Sequence, residues 1–198
     1  MNTGLDAGFI SETYQKMDDQ ELVRVATTDA AGLTIEAQEI VKNEIRKRHL
    51  DLNILNGIDA QQKEYTIETI DTYCRLIQQL PCPISGSDTD LLNGTNTSVV
   101  MSFIFLTTRK RKIIIACPEE LDKANNRASL MTALLGWWSL PWGPIRSIQA
   151  IIQNERSKRT NRIDTPNDSL RTFVLANIGR IETYKEDKAK LESIIKRM

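Results

Sequence analysis

The stretch "SVVMSFIFLTTRKRKIIIACP" (Ser98–Pro118) decides the fold class. Two β-branched and aromatic runs, "SVVMSFIFLTT" and "IIIACP", flank the basic tetrad Arg109, Lys110, Arg111 and Lys112. Such runs favour extended chain, so the segment reads as a β-hairpin with Arg109–Lys112 at its tip. Most of the chain on either side has the three-to-four-residue apolar spacing of helices. The expected fold class is α+β, mainly α-helical, with one small hairpin packed with several helices.

Upstream, "MDDQELVRVATTDA" offers Asp18 as a helix cap and Glu21, three residues on, as its reciprocal partner; Leu22, Val25 and Ala26 then share a face. In "GLTIEAQEIVKNEIRKRHLD", Thr34 caps and Ala37, Ile40, Val41 and Ile45 form the apolar stripe. Residues 1–50 therefore read as a helical hairpin, and 51–64, with "DLNILNGIDAQQ", as a linker. Residues 65–163 hold a helix from about Tyr65 to Leu80, the β-hairpin, a helix from near Glu119 or Leu121 to Leu135, and a further helix in "IRSIQAIIQNERSKR". "TNRIDTPNDS" reads as a loop, and 164–198 as C-terminal helices bent at Gly179.

Composition fits an ordinary globular chain: 198 residues, 40% hydrophobic, 26% charged. No run reaches the roughly 18–20 apolar residues of a spanning helix. The nearest, residues 130–145, is broken by Gly136, Pro141, Gly143 and Pro144. "MNTGLDAGFISETYQ" does not resemble a signal peptide, and three cysteines are too few for a disulfide framework, so a cytoplasmic location with reduced thiols is expected. Net charge is zero, yet residues 1–90 carry −8 and residues 91–198 carry +8. The halves attract each other, or the second half faces something anionic.

All three tryptophans, Trp137, Trp138 and Trp142, fall in "LLGWWSLPWGPIR" (Leu134–Arg146). In the more ordinary reading, Leu130, Leu134, Trp137 and Trp138 close a helix on a core and Trp142 plugs the gap to the next. In the other, indoles and leucines face a lipid interface or a partner's groove, rimmed by Arg146, Arg156, Lys158, Arg159, Arg162 and the tetrad. The candidate binding set is thus Trp137, Trp138, Trp142 and Arg146 with Arg109, Lys110, Arg111 and Lys112. Phe103 and Phe105, two apart on a strand, are expected to face the core.

Cys82 in "CPISG" and Cys117 in "CPEEL" flank the hairpin. From Pro81 to Glu120 the layout resembles a zinc ribbon, whose paired CxxC turns hold one metal through four thiolates. Here Ser85 and Glu120 stand where the second cysteine of each turn belongs. That leaves Cys82, Cys117 and Glu120 as weak metal candidates, and no zinc or other cofactor is expected. More widely, Tyr73 to Asn154, with "YCRLIQQLPCPISG" and "GWWSLPWG", resembles an uncharacterised bacterial family that joins a cysteine-rich ribbon to a GWW-x-x-PWG segment. The resemblance implies a shared architecture and supplies no activity.

No nucleotide-binding or metallohydrolase motif is present, and the single histidine, His49, ends a basic helix without a nucleophile nearby. Glu119, Glu120 and Asp122 suit a helix N-terminus. The expected function is a non-catalytic interaction or adaptor protein, using the Trp-Pro segment and its basic surround on a protein partner or, peripherally, on an anionic membrane surface. A ribbon-derived nucleic-acid-binding module and an unrecognised enzyme are the alternatives.

Overall fold

Strands β1 (Asn93–Phe103) and β2 (Leu106–Ala116) pair antiparallel along their whole length, from Asn93 opposite Ala116 to Phe103 opposite Leu106. The structure is a computed structural model and describes residues 7–103, 106–139 and 141–196. The basic tetrad does not form the tip. Arg109 to Lys112 lie within β2, opposite Val100 to Thr97. The tetrad contains no Gly, Pro, Asn or Asp to turn the chain, and Thr107 and Thr108 carry the extended backbone past it. Phe103 is exposed rather than facing the core, and Phe105 lies outside the described residues.

The hairpin belongs to one of two compact units, comprising Ile67–Val174 and Glu192–Met198. Helices α6 (Pro118–Leu135) and α7 (Trp142–Asn161) pack against β1. An unpaired strand edge buried by helices must find partners for its peptide groups. Those partners are side chains. Asn154 Oδ1 accepts from the Ser98 N–H at 2.8 Å while its Nδ2 donates to the Ser98 carbonyl at 3.0 Å. The Val100 N–H donates to Thr132 Oγ1 at 3.1 Å, and Ser102 Oγ donates to the Gly136 carbonyl at 2.8 Å. Past Leu121 the inner stripes are accordingly small or polar: Asn125, Ala128 and Thr132 on α6, Gly143, Ser147, Ala150 and Asn154 on α7. A Cβ at Gly143 would sit 2.7 Å from the Gly136 carbonyl oxygen, so the two chain segments meet backbone to backbone.

At the other end of the hairpin Asn93 and Asn167 interlock. Asn93 Oδ1 accepts from the Asn167 N–H, and Asn167 Nδ2 donates to the Gly94 carbonyl. Asn167 Oδ1 also receives the Leu170 N–H, which caps α8 (Asp168–Ala176). Helix α5 (Ile67–Gln78) is tied to α8 by Arg171, which grips both oxygens of Asp71 at 2.7 and 3.0 Å. The loop expected over 160–169 is shorter, because α7 runs to Asn161 and α8 starts at Asp168.

The other unit holds Met1–Thr66 and Leu175–Leu191. Asp18 and Glu21 make the reciprocal cap of α2 (Asp19–Arg24), and Thr34 caps α3 (Ile35–Lys47). Leu22, Ala26, Val41, Ile45 and Ile58 are fully buried in one apolar cluster. A helix α1 (Ala7–Lys16) precedes these two, beyond the hairpin expected from the sequence. Arg48, after α3, donates to Glu44 and to the carbonyls of Tyr14, Gln15 and Met17, fastening the end of α1 to α3. The expected linker at 51–64 instead contains α4 (Asn53–Ala60), whose Ile54, Ile58 and Ala60 are buried. Helix α9 (Ile178–Tyr184) packs on α4. The expected bend falls at Asn177, not Gly179; Gly179 lies inside α9, where a Cβ would meet the Thr27 carbonyl at 2.4 Å. Helix α10 (Lys188–Lys196) follows. Among the described residues the fold is α+β, mainly α, with one small antiparallel hairpin.

The inverted patterning of α7 can be measured. Asn154→Ala strands the buried Ser98 N–H and leaves the Ser98 carbonyl only the 3.5 Å bond from Thr132 Oγ1, and is expected to cost about 2–4 kcal/mol, at roughly 1–3 for the unpaired group and about 1 for the second bond lost. Ile148→Ala, on the outward face, should cost no more than about 0.5 kcal/mol. Urea unfolding of both variants checks the pair; the reverse order would mean that α7 is turned the other way.

Candidate functional site

Helix α7 turns its inner stripe toward β1 at residues 143, 147, 150 and 154, which places Ile145, Ile148 and Ile152 outward. Leu130 and Leu134 do the same on α6. Between the helices, Trp137, Trp138 and Trp142 are 43%, 70% and 58% exposed. Phe103 and Leu106, at the hairpin tip, are exposed as well. The reading of the tryptophans as a core plug is overturned. The gap they would fill is closed by Gly136 and Gly143 in backbone contact, which leaves no volume for an indole. Trp138 donates its ring N–H to the Leu134 carbonyl at 3.1 Å, so its polar atom is satisfied by the helix end. Pro141 and Pro144 start α7 where a missing N–H leaves no gap in the helix ladder.

Large apolar side chains outside and small ones at the helix contact are the arrangement of helix pairs whose surroundings are themselves apolar. No helix among the described residues is long and apolar enough to cross a membrane.

The basic tetrad splits by strand alternation. Arg109 and Arg111 line an open cleft of about 720 Å³ against α7, with Gln149, Gln153 and Arg156 opposite. Lys110 and Lys112 do not line it. Arg109 is fixed in place, its Nε donating to Ser98 Oγ at 2.7 Å and an Nη to Gln153 Oε1. Burial first, then the nearby positive charges of Arg111 and Arg146, holds its pKa below the ordinary arginine value. Arg146 reaches across to the Thr107 carbonyl at 3.3 Å, between the cleft and the hairpin tip. The structure therefore joins Arg146, Arg109 and Arg111 along one face, a grouping that adds Arg156 from the basic run after the tryptophans.

At the base of the hairpin the two cysteine turns converge. Cys117 N–H donates to Cys82 Sγ at 3.4 Å, and Ser85 Oγ lies 3.7 Å from Cys117 Sγ. Gly86, at φ +75°, closes the first turn by donating to the Cys82 carbonyl. Burial raises the Cys82 thiol pKa, but hydrogen bonds from the Ser85 side chain and from backbone amides around it outweigh that and lower it to about 7. Cys117, facing it, is pushed up by burial. The donor set does not fit a four-thiolate zinc cage. Two thiols and a hydroxyl meet here, and Glu120's carboxylate is engaged by Lys123 at 2.8 Å. Among the described residues no three His, Cys, Asp or Glu side chains gather as metal ligands. Cys74 is buried on α5, where burial and then Asp71 raise its thiol to about 12. His49 is exposed at the end of α3.

Compared with protein-family models, with curated proteins and with solved structures, the chain matches none.

The thiols give a pH signature. Cys82, with a folded pKa of about 7 against an ordinary 9.0, contributes stability that is full above the ordinary value and lost as pH falls through about 7. Cys74, at about 12, acts in the opposite sense, withdrawing stability as pH climbs above 9.0. Thiolate ultraviolet absorbance of the folded protein should show one group titrating near 7. Cys82→Ser should remove that step and Ser85→Ala should move it upward; a single rise at the ordinary thiol value would refute the assignment.

Proposed function

We propose that the chain is a non-catalytic binding protein that docks on an anionic membrane surface through the apolar end of its hairpin-bearing unit. One observation carries the reading: the three tryptophans stand exposed beside Leu130, Leu134, Ile145 and Ile148, in continuity along the chain with two helices whose contact is made by small residues. Indoles and leucines in such a surface favour the headgroup and upper acyl region of a bilayer. The positive charge supports an anionic surface, since Arg146 lies in the first turns of α7 and the Arg109–Lys112 tetrad runs along β2 away from the tip. A protein partner's groove would take the same indoles and arginines, both favoured at protein interfaces, and is the second reading. For nucleic acid, rings would have to alternate with cations on one surface. Here the rings crowd the tip and the guanidiniums line the cleft.

Tryptophan emission tests the reading directly, because all three indoles belong to the surface in question. Emission of the free protein should be red and should shift blue with phosphatidylserine vesicles, more than with neutral phosphatidylcholine. Trp138→Ala with Trp142→Ala should weaken vesicle binding at least about tenfold, since burying an indole stabilises by roughly 2 kcal/mol and 1.4 kcal/mol is a factor of ten. Blue emission that vesicles leave unchanged, with a dimer in sedimentation, would give the surface to a second copy of the chain and sink the proposal.

A further inference from the structure

We infer that the cleft between β2 and α7 is a phosphomonoester site, and that it takes the headgroup of an anionic lipid. The assignment to a lipid rests on the membrane reading above; the assignment to a phosphomonoester rests on the cleft alone. Three guanidiniums, Arg109, Arg111 and Arg156, line it. Its neighbours' carboxylates are committed elsewhere. Glu155 pairs with Lys158 at 2.7 Å, Asp122 with Arg162 at 2.8 Å, and Asp168, the one carboxylate on the lining, with Arg171 at 3.2 Å. None of the three cleft arginines joins an ion pair among the described residues. Like charges brought together without a counter-charge destabilise a fold, so a cluster held in place this way matches a ligand that supplies the missing negative charge. Arg109 is held by Ser98 and Gln153, so its orientation is set before anything binds.

The rest of the lining has the chemistry of a phosphate site. Ser169 contributes a hydroxyl, those of Ser157 and Thr160 being engaged by the Gln153 and Ser157 carbonyls, and the lining includes the start of α8, whose dipole adds partial positive charge. A phosphomonoester carries nearly two negative charges and three acceptor oxygens, and forked guanidiniums are the donors best matched to it. A carboxylate or a phosphodiester would satisfy fewer of these donors. The position along α7 suits a lipid. Ile148 points outward and Ile152 lines the cleft together with Gln153 and Arg156, so apolar surface runs into the anion site within one or two helical turns of about 5.4 Å each. An acyl region and its headgroup are separated by a similar distance.

The test uses the full chain with two probes, inorganic phosphate in solution and vesicles containing either phosphatidic acid or phosphatidylserine at matched surface charge. Arg111→Gln and Arg156→Gln, both at exposed positions, remove cleft charge, and Arg159→Gln removes an exposed charge of the same helix that does not line the cleft. Phosphate should bind the natural protein, with affinity falling about tenfold for each cleft variant and unchanged in Arg159→Gln. Phosphatidic acid vesicles should be preferred over phosphatidylserine, and the double cleft variant should lose that preference while keeping the tryptophan blue shift. Equal loss from Arg156→Gln and Arg159→Gln, or no phosphate binding at millimolar concentration, overturns the site. Phosphate binding that depends on the cleft, with tryptophan emission indifferent to every vesicle, overturns the lipid assignment and leaves a site for a soluble phosphate ester. A blue shift without phosphate selectivity overturns the site and leaves the membrane reading standing.

Discussion

The amide of Asn154 lies against the peptide of Ser98 as a third strand would, donating to its carbonyl and accepting from its N–H. A two-stranded hairpin is marginal alone and needs its edges and one face covered. With the pairing strand absent, the helices have to supply hydrogen-bonding side chains where they touch β1, and Asn154, Thr132 and Asn125 do so. Such residues are small, and small residues let α6 and α7 close to backbone contact at Gly136 and Gly143. Apart from Leu121 at the start of α6 and the half-buried Ile151, the large apolar side chains of those helices are then left on the outside.

Helix α7 accordingly has three faces with different tasks. Its inner face satisfies β1, its outer face presents isoleucines beside the tryptophans, and its third face joins β2 in lining a cleft rich in arginine. The proposed function uses the second face and the further inference the third. Both depend on the first, because rotating α7 to bury its isoleucines would break the bonds to Ser98 and pull Gln153 away from Arg109.

At the cysteine corner two turns are held together by hydrogen bonds to sulfur. Backbone amides point at Cys82 Sγ from both turns, the arrangement that stabilises thiolate charge in a metal knuckle. With Ser85 and Glu120 in the two remaining positions, the same hydrogen bonds now hold a thiol beside a hydroxyl, at the base of the hairpin. Two thiols and a hydroxyl thus meet at the base of the hairpin, and among the described residues no three His, Cys, Asp or Glu side chains gather there.

Local chemistry was legible in the sequence. The Asp18–Glu21 reciprocal cap, the Thr34 cap and the stripe of α3 each depend on residues three or four apart, so a short window contains the whole cause. The hairpin was legible as two β-branched runs, but its tip was not, because Arg109 to Lys112 form a charge cluster without being turn formers. Helix α4 was missed because its Asn and Gly resemble loop residues until packing buries Ile54 and Ile58. Apolar periodicity marks a helical face without saying whether core or solvent lies against it. That was decided by the hydrogen-bonding demand of a strand more than thirty residues away from Thr132 and more than fifty from Asn154, which claimed the polar faces of α6 and α7 for the interior and left the tryptophans outside.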